Sequence, residues 1–66
     1  MYGIAVWHEG ERWGWVSRDE GGRVRGRKRA LTVATRPAAE VIADACGRSW
    51  GEWGRENGYV FRAESM

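Results

Sequence analysis

From Tyr2 to Arg18 apolar side chains alternate with polar or small ones, and Glu9-Gly10 interrupts the alternation once. A half-buried strand turns successive side chains to opposite faces, so residues 2–8 (YGIAVWH) and 11–18 (ERWGWVSR) read as the two strands of a hairpin. Asp19-Glu20-Gly21-Gly22 reads as the next turn, because glycine supplies the positive φ of tight connections. A third strand is expected from Arg23 to about Arg29, or onward to Val33, continuing the sheet as a meander.

The period then changes. Ala38, Val41, Ile42, Ala45, Cys46 and Ser49 recur at helical spacing, with Glu40, Asp44 and Arg48 on the opposite side. Thr35 suits the N-cap and Pro37 the first turn. Two endings compete. Gly47 can close the helix, with Ser49 and Glu52 opening a short second one as a capping box; or one helix runs to Asn57 and carries Trp50 and Trp53 on the same stripe. Each interior glycine costs a helix about 1 kcal/mol relative to alanine, and Gly47, Gly51 and Gly54 together favour the broken version. Asn57-Gly58 ends the helical region, and residues 59–64 (YVFRAE) form a last strand with Tyr59 and Phe61 on one face. The expected fold class is therefore α+β. An antiparallel sheet of three to four strands is packed on one face by an amphipathic helix, in the order β-β-β-α-β, over residues 1–66 as a single domain.

A domain this small buries only about 60% of its unfolded surface, so its core must come from a few large side chains. Five Trp, two Tyr and one Phe provide them. With one cysteine, Cys46, no disulfide framework can form, and a reducing compartment, the cytoplasm, is expected. The opening MYGIAVWHEG lacks a basic signal-peptide region, and no apolar run approaches a membrane span of about 20 residues, so no membrane partner is expected.

The composition also argues against enzymatic chemistry and against a cofactor. His8 and Cys46 are the only residues of their types, too few for a zinc site of the usual Cys/His kind. Cys46 falls on the apolar helix face, as a packed thiol would. The acidic pairs Glu9/Glu11 and Glu40/Asp44 lie on a turn and a solvated face, without the burial that tunes a catalytic carboxylate. The glycines spell no phosphate-binding loop. No catalytic, metal or cofactor site is expected.

The hairpin register decides where the tryptophans go. A two-residue loop pairs Ile4 with Trp15 and Val6 with Trp13, making both Trp core and leaving Trp7 on the outer face as a contact residue. A three-residue loop pairs Trp7 with Trp13 and Ala5 with Trp15, since a one-residue slip inverts every side chain. Trp7, Trp13 and Trp15 would then form an aromatic platform of the kind that stacks single-stranded nucleic acid.

The net charge of +2 is unevenly spread: residues 1–34 hold seven basic and four acidic side chains, residues 35–66 four and five. Five of the seven residues from Arg23 to Arg29 are cationic: Arg23, Arg25, Arg27, Lys28 and Arg29. On a strand, the four arginines would project from one face every 6.6–6.8 Å or so, a spacing close to that of phosphates along a nucleic-acid strand. Guanidinium forks suit phosphate and carboxylate alike. A bulge near Gly26 would split the row between two faces, and a charged edge strand that merely resists aggregation is a further reading. On the helix, Glu40 and Asp44 give an acidic patch beside the basic strand, a bipolar surface suited to docking on a protein.

The succession YGIAVWHEG, ERWGWVSRDEGG, RVRGRKR, LTVATRPAAEVIADAC and YVFRAE resembles the compact sheet-plus-helix organisation of several phage and mobile-element anti-CRISPR proteins. It is also similar to small strand-strand-strand-helix units of bacterial proteins in which a W-x-W strand precedes a glycine turn. The first resemblance implies a non-enzymatic inhibitor that binds a bacterial protein or nucleoprotein complex of the immune or nucleic-acid machinery. The resemblance carries over no binding residue; the charge run and the hairpin register themselves point to Arg23, Arg25, Arg27, Lys28 and Arg29 as the contacts, with Trp7 nearby, and the net positive charge disfavours mimicry of DNA. The residues themselves leave two other partners open: nucleic acid held directly by the same arginines, and a second copy of the chain in a homodimer.

Overall fold

The computed structural model describes residues 1–19 and 22–66; the expected turn at Asp19 to Gly22 falls partly outside these. Its elements are β1 (Tyr2–His8), β2 (Glu11–Val16), β3 (Arg23–Val24), β4 (Thr32–Val33), α1 (Arg36–Glu56) and β5 (Tyr59–Ser65). The strands form one antiparallel sheet built around β1. β5 pairs with β1 along its whole length, from Tyr2 opposite Ser65 to His8 opposite Tyr59. The other edge of β1 is shared: β2 takes Ala5 to His8 and β4 takes Tyr2 and Gly3. β3 extends the sheet beyond β2, with Trp15 opposite Val24. The α+β class stands as expected; the long third strand does not.

The hairpin combines features of both expected registers. Glu9 and Gly10 form a two-residue loop with φ of 52° and 83°, the positive values that two-residue hairpin turns require. His8 then faces Glu11 and Trp7 faces Arg12. Between Val6 and Trp7 the register shifts, so that Val6 faces Gly14 and Ala5 faces Trp15. Trp13 is the extra residue of a β-bulge. It packs with the helix-side core, whereas Trp15 is sent to the opposite face. The continuous platform of three tryptophans does not form.

Two apolar clusters result, one on each side of the sheet. Ile4, Val6 and Val16 meet Ala39 and Ala43 of α1, with Tyr59, Phe61, Trp13 and Cys46 packed around them. On the helix-free side, Trp15 lies with Ala5 and Ala30 and is only 4% exposed. It covers Gly3, where an added Cβ would stand 2.8 Å from the Trp15 ring. A glycine thus makes room for the indole against the sheet.

Thr35 caps α1 as expected, its Oγ1 accepting from the Ala38 N–H at 3.3 Å. The buried stripe is displaced from the expected one: Ala39 and Ala43 are buried and Ile42 and Cys46 half-buried, while Ala38, Val41, Ala45 and Ser49 face solvent. With five alanines between residues 34 and 45, two stripes were compatible with the pattern, and the one of smallest side chains lets the helix come closest to the sheet. The helix does break, but at Gly51 rather than Gly47, with φ of 60° and ψ of −148°. That region is open essentially to glycine alone. Asn57 closes the helix, its side-chain amide donating to the Trp53 carbonyl at 2.8 Å.

The third strand shrinks to Arg23–Val24 because β2 offers it no further partner. Past Trp15 the bulge bends the β2 edge, and the Val24 carbonyl presses on Gly14, where a Cβ would sit 2.5 Å from that oxygen. Residues 25–29 leave the sheet as a loop, closed by Ala30 donating to the Arg27 carbonyl and Arg18 donating to that of Arg29. The chain rejoins the sheet through the bridge between Ser17 and Ala30. Gly14→Ala is expected to destabilise by about 1–3 kcal/mol, from crowding against fixed backbone and a φ of 153°. Each kcal/mol should lower the thermal midpoint by roughly 4–8 °C. Gly26→Ala, which meets open space, should leave it nearly unchanged; thermal unfolding followed by circular dichroism checks both.

Candidate anion-binding site

Where the chain turns away from β2, a groove of about 510 Å³ opens beside the unpaired edge of that strand. Arg12, Trp13, Gly14 and Trp15 of β2 line one wall, and Arg23, Arg25, Gly26 and Arg27 the other. Four arginines therefore line a cleft that has no carboxylate in its lining, with Arg12 on the Trp15 face of the sheet and Arg23 on the Trp13 face. The expected row with a two-residue repeat does not exist, since only Arg23 lies on a strand. The loop gathers Arg25 and Arg27 with Arg23, while Lys28 and Arg29 are exposed at its end.

Two of the groove arginines rest on indole rings. The Arg12 Cζ stands 4.1 Å from the Trp15 ring centroid, and the Arg23 Cζ 4.1 Å from that of Trp13. The ring's negative face attracts the cation and holds the flexible side chain in place. Arg12 also pairs with Glu64 of β5 at 2.7 Å. Among the described residues, Arg23, Arg25, Arg27 and Lys28 have no carboxylate within ion-pairing distance; Arg29 reaches only Asp19, at 3.9 Å.

Trp7 lies on the helix-free face, as the two-residue loop implied, and is half-buried. It does not line the groove but is tied to it. Its Nε1 donates to Glu64 Oε2 at 2.8 Å, Glu64 also holds Arg12, and the Arg62 Cζ lies 5.4 Å from its ring centroid. Trp7 thus helps to set the Glu64 carboxylate that orients Arg12. The alternation in β2 hid Arg12 and Trp13, because the single-residue bulge reassigns the faces; the glycine at position 14, in the middle of a strand, was the available signal for it.

A second grouping joins residues that the sequence places only pairwise, Tyr59 with Phe61 and Trp50 with Trp53. His8 stacks on Tyr59 at 4.2 Å, Tyr59 meets Trp13, Trp50 and Trp53 at 5.4, 4.9 and 5.8 Å, and Trp50 meets Phe61 at 5.4 Å. His8 is thus a packing residue of an aromatic cluster that pins the end of α1 to β5. No group of three or more His, Cys, Asp or Glu able to hold a metal occurs among the described residues. No helix among the described residues is long and apolar enough to cross a membrane.

These features define a small α+β domain with an arginine-lined cleft at one sheet edge. The chain matches no protein-family model, no curated protein and no solved structure.

Cys46 is half-buried on the sheet side of α1, and desolvation raises its thiol pKa. Since the thiolate is the reactive form, less of it is present at mildly alkaline pH than in an open peptide. Alkylation by iodoacetamide should be slower in the folded protein than in urea-unfolded chain at the same pH, and equal rates would contradict this placement.

Proposed function

We infer that the protein is a non-enzymatic binding domain that holds nucleic acid by its phosphates. Arg12, Arg23, Arg25 and Arg27 form the cleft that takes them, with Lys28 and Arg29 on the adjoining loop. The observation that carries this reading is the make-up of the exposed loop: residues 25–29 present four cations and a glycine, with no apolar side chain. A protein partner would need a desolvated apolar centre with aromatic anchors. A polyanion needs none, because neutralised phosphates release condensed counterions.

The tryptophans of the cleft serve as shelves for guanidinium groups rather than as stacking surfaces for bases. Trp15 is buried, and Trp13 has Arg23 over its ring and Tyr59 against its edge. Contacts confined to phosphates position a ligand without reading its sequence. Duplex and single strand should therefore both bind, with little preference among sequences.

A second reading keeps the inhibitor that the architecture resembles: docking on an acidic patch of a bacterial immune or nucleic-acid complex, in the host cytoplasm. Two observations favour it. The arginines gather at one end instead of following a line of phosphates, and Glu40, Asp44, Glu52 and Glu56 on α1 are all exposed.

A mobility-shift titration with single- and double-stranded DNA and RNA tests the first reading. The affinity should fall with salt on a log–log slope of about −3 to −5, at about 0.9 per duplex phosphate contacted. Arg25→Glu with Arg27→Glu should abolish the shift. Its thermal midpoint should barely change, since both side chains are exposed and unpaired among the described residues. Binding that ignores salt, or survives the double substitution, would overturn phosphate recognition; no nucleic-acid binding with retention on an acidic protein would favour the second reading.

A further inference from the structure

The edge of the sheet farthest from the arginine cleft belongs to β5. Its seven residues pair with β1 on one side, and no strand among the described residues pairs with the other. The flanking bonds give the direction of its backbone groups. Glu9 donates to the Gly58 carbonyl at 2.8 Å and Met66 to that of Met1 at 3.0 Å, so the even-numbered residues of this strand bond inward, to β1. By the alternation of an antiparallel ladder, the N–H and C=O of Tyr59, Phe61, Ala63 and Ser65 point outward.

Two hollows follow this edge, of about 350 and 400 Å³, sharing Ala43, Asp44 and Phe61. Side chains from both faces of the strand line them: Val60 and Arg62 from one, Phe61 and Ala63 from the other. That happens only where the strand edge itself is uncovered. Apolar surface collects here too, with Val60 45% and Trp50 37% exposed. Of the devices that usually blunt an exposed edge, the strand has no proline and no bulge, only the charges of Arg62 and Glu64.

We propose that β5 is the docking edge for a second copy of this chain, paired antiparallel about a two-fold axis at Ala63. A two-fold axis normal to the sheet keeps each side chain on its own face, so only registers pairing odd with odd and even with even are allowed. Centring on Arg62 sets two arginines directly opposite each other, which destabilises. Centring on Ala63 sets Arg62 opposite Glu64 twice, by symmetry, and Val60 opposite Met66. The outward groups of Phe61, Ala63 and Ser65 then find partners, Phe61 with Ser65 and Ala63 with its own copy. The charge pattern of the strand is complementary to itself in this register. The arginine clefts lie at the two far edges of the joined sheet and stay open, so the dimer does not depend on what they bind.

Sedimentation equilibrium of the full chain, from micromolar to near-millimolar concentration, tests this. The expected mass is twice the 7.5 kDa of one chain at the upper end. Ala63→Pro should return it to one chain mass while circular dichroism keeps its native form, because the lost N–H points away from β1 and proline is tolerated on such an edge. Val60→Lys, at an exposed position, should also weaken the dimer severalfold and serves if the proline disturbs folding. A wild-type chain that stays monomeric throughout overturns the proposal, as does a dimer that neither substitution weakens.

Discussion

One extra residue in β2 governs the arrangement of everything around it. Because Trp13 bulges between Arg12 and Gly14, it turns toward the helix while Trp15 turns away, and the two largest side chains of the strand brace opposite faces of the same sheet. Removing the buried Trp15 indole would cost about 3–5 kcal/mol, comparable to the whole stability of a small domain. The bulge also bends the β2 edge, ends its pairing with β3 after two residues and releases the arginine loop. Core, cleft and loop thus follow from a single irregularity.

The cleft depends on that packing as well. Trp13 and Trp15 offer ring faces at the β2 edge only because each is fixed by its own cluster, Trp13 against Tyr59 and Trp15 over Gly3. Arg23 and Arg12 lie on those faces, so their guanidinium groups are ordered before any anion arrives. Pre-ordering reduces the side-chain entropy lost on binding. Arg25 and Arg27 lack such shelves and supply charge from the loop.

Much of this was legible in the residues. The alternation in β1, the cap at Thr35, the stop at Asn57-Gly58 and the strand from Tyr59 each rest on local chemistry, and each formed as expected. The departures share a cause: they depend on partners distant in sequence. Alternation cannot register a bulge, since its count of residues is set by the opposing strand. The run from Arg23 to Arg29 looks extended until β2 ceases to offer a ladder. The stripe of α1 was ambiguous because alanine fits either face, and only the approach to β1 and β5 selects Ala39 and Ala43. At the site, the loop cations were evident from the sequence, whereas Arg12 and the two tryptophan shelves depended on the bulge.

The most direct measurement of the central claim is an amide and indole NMR titration of the protein with a short DNA duplex. Phosphate binding in the cleft predicts shifts concentrated on Arg23 to Arg29 and on the indole N–H signals of Trp13 and Trp15, with those of Trp50 and Trp53 unmoved. Shifts centred on α1 and β5, with the arginine loop silent, would contradict it.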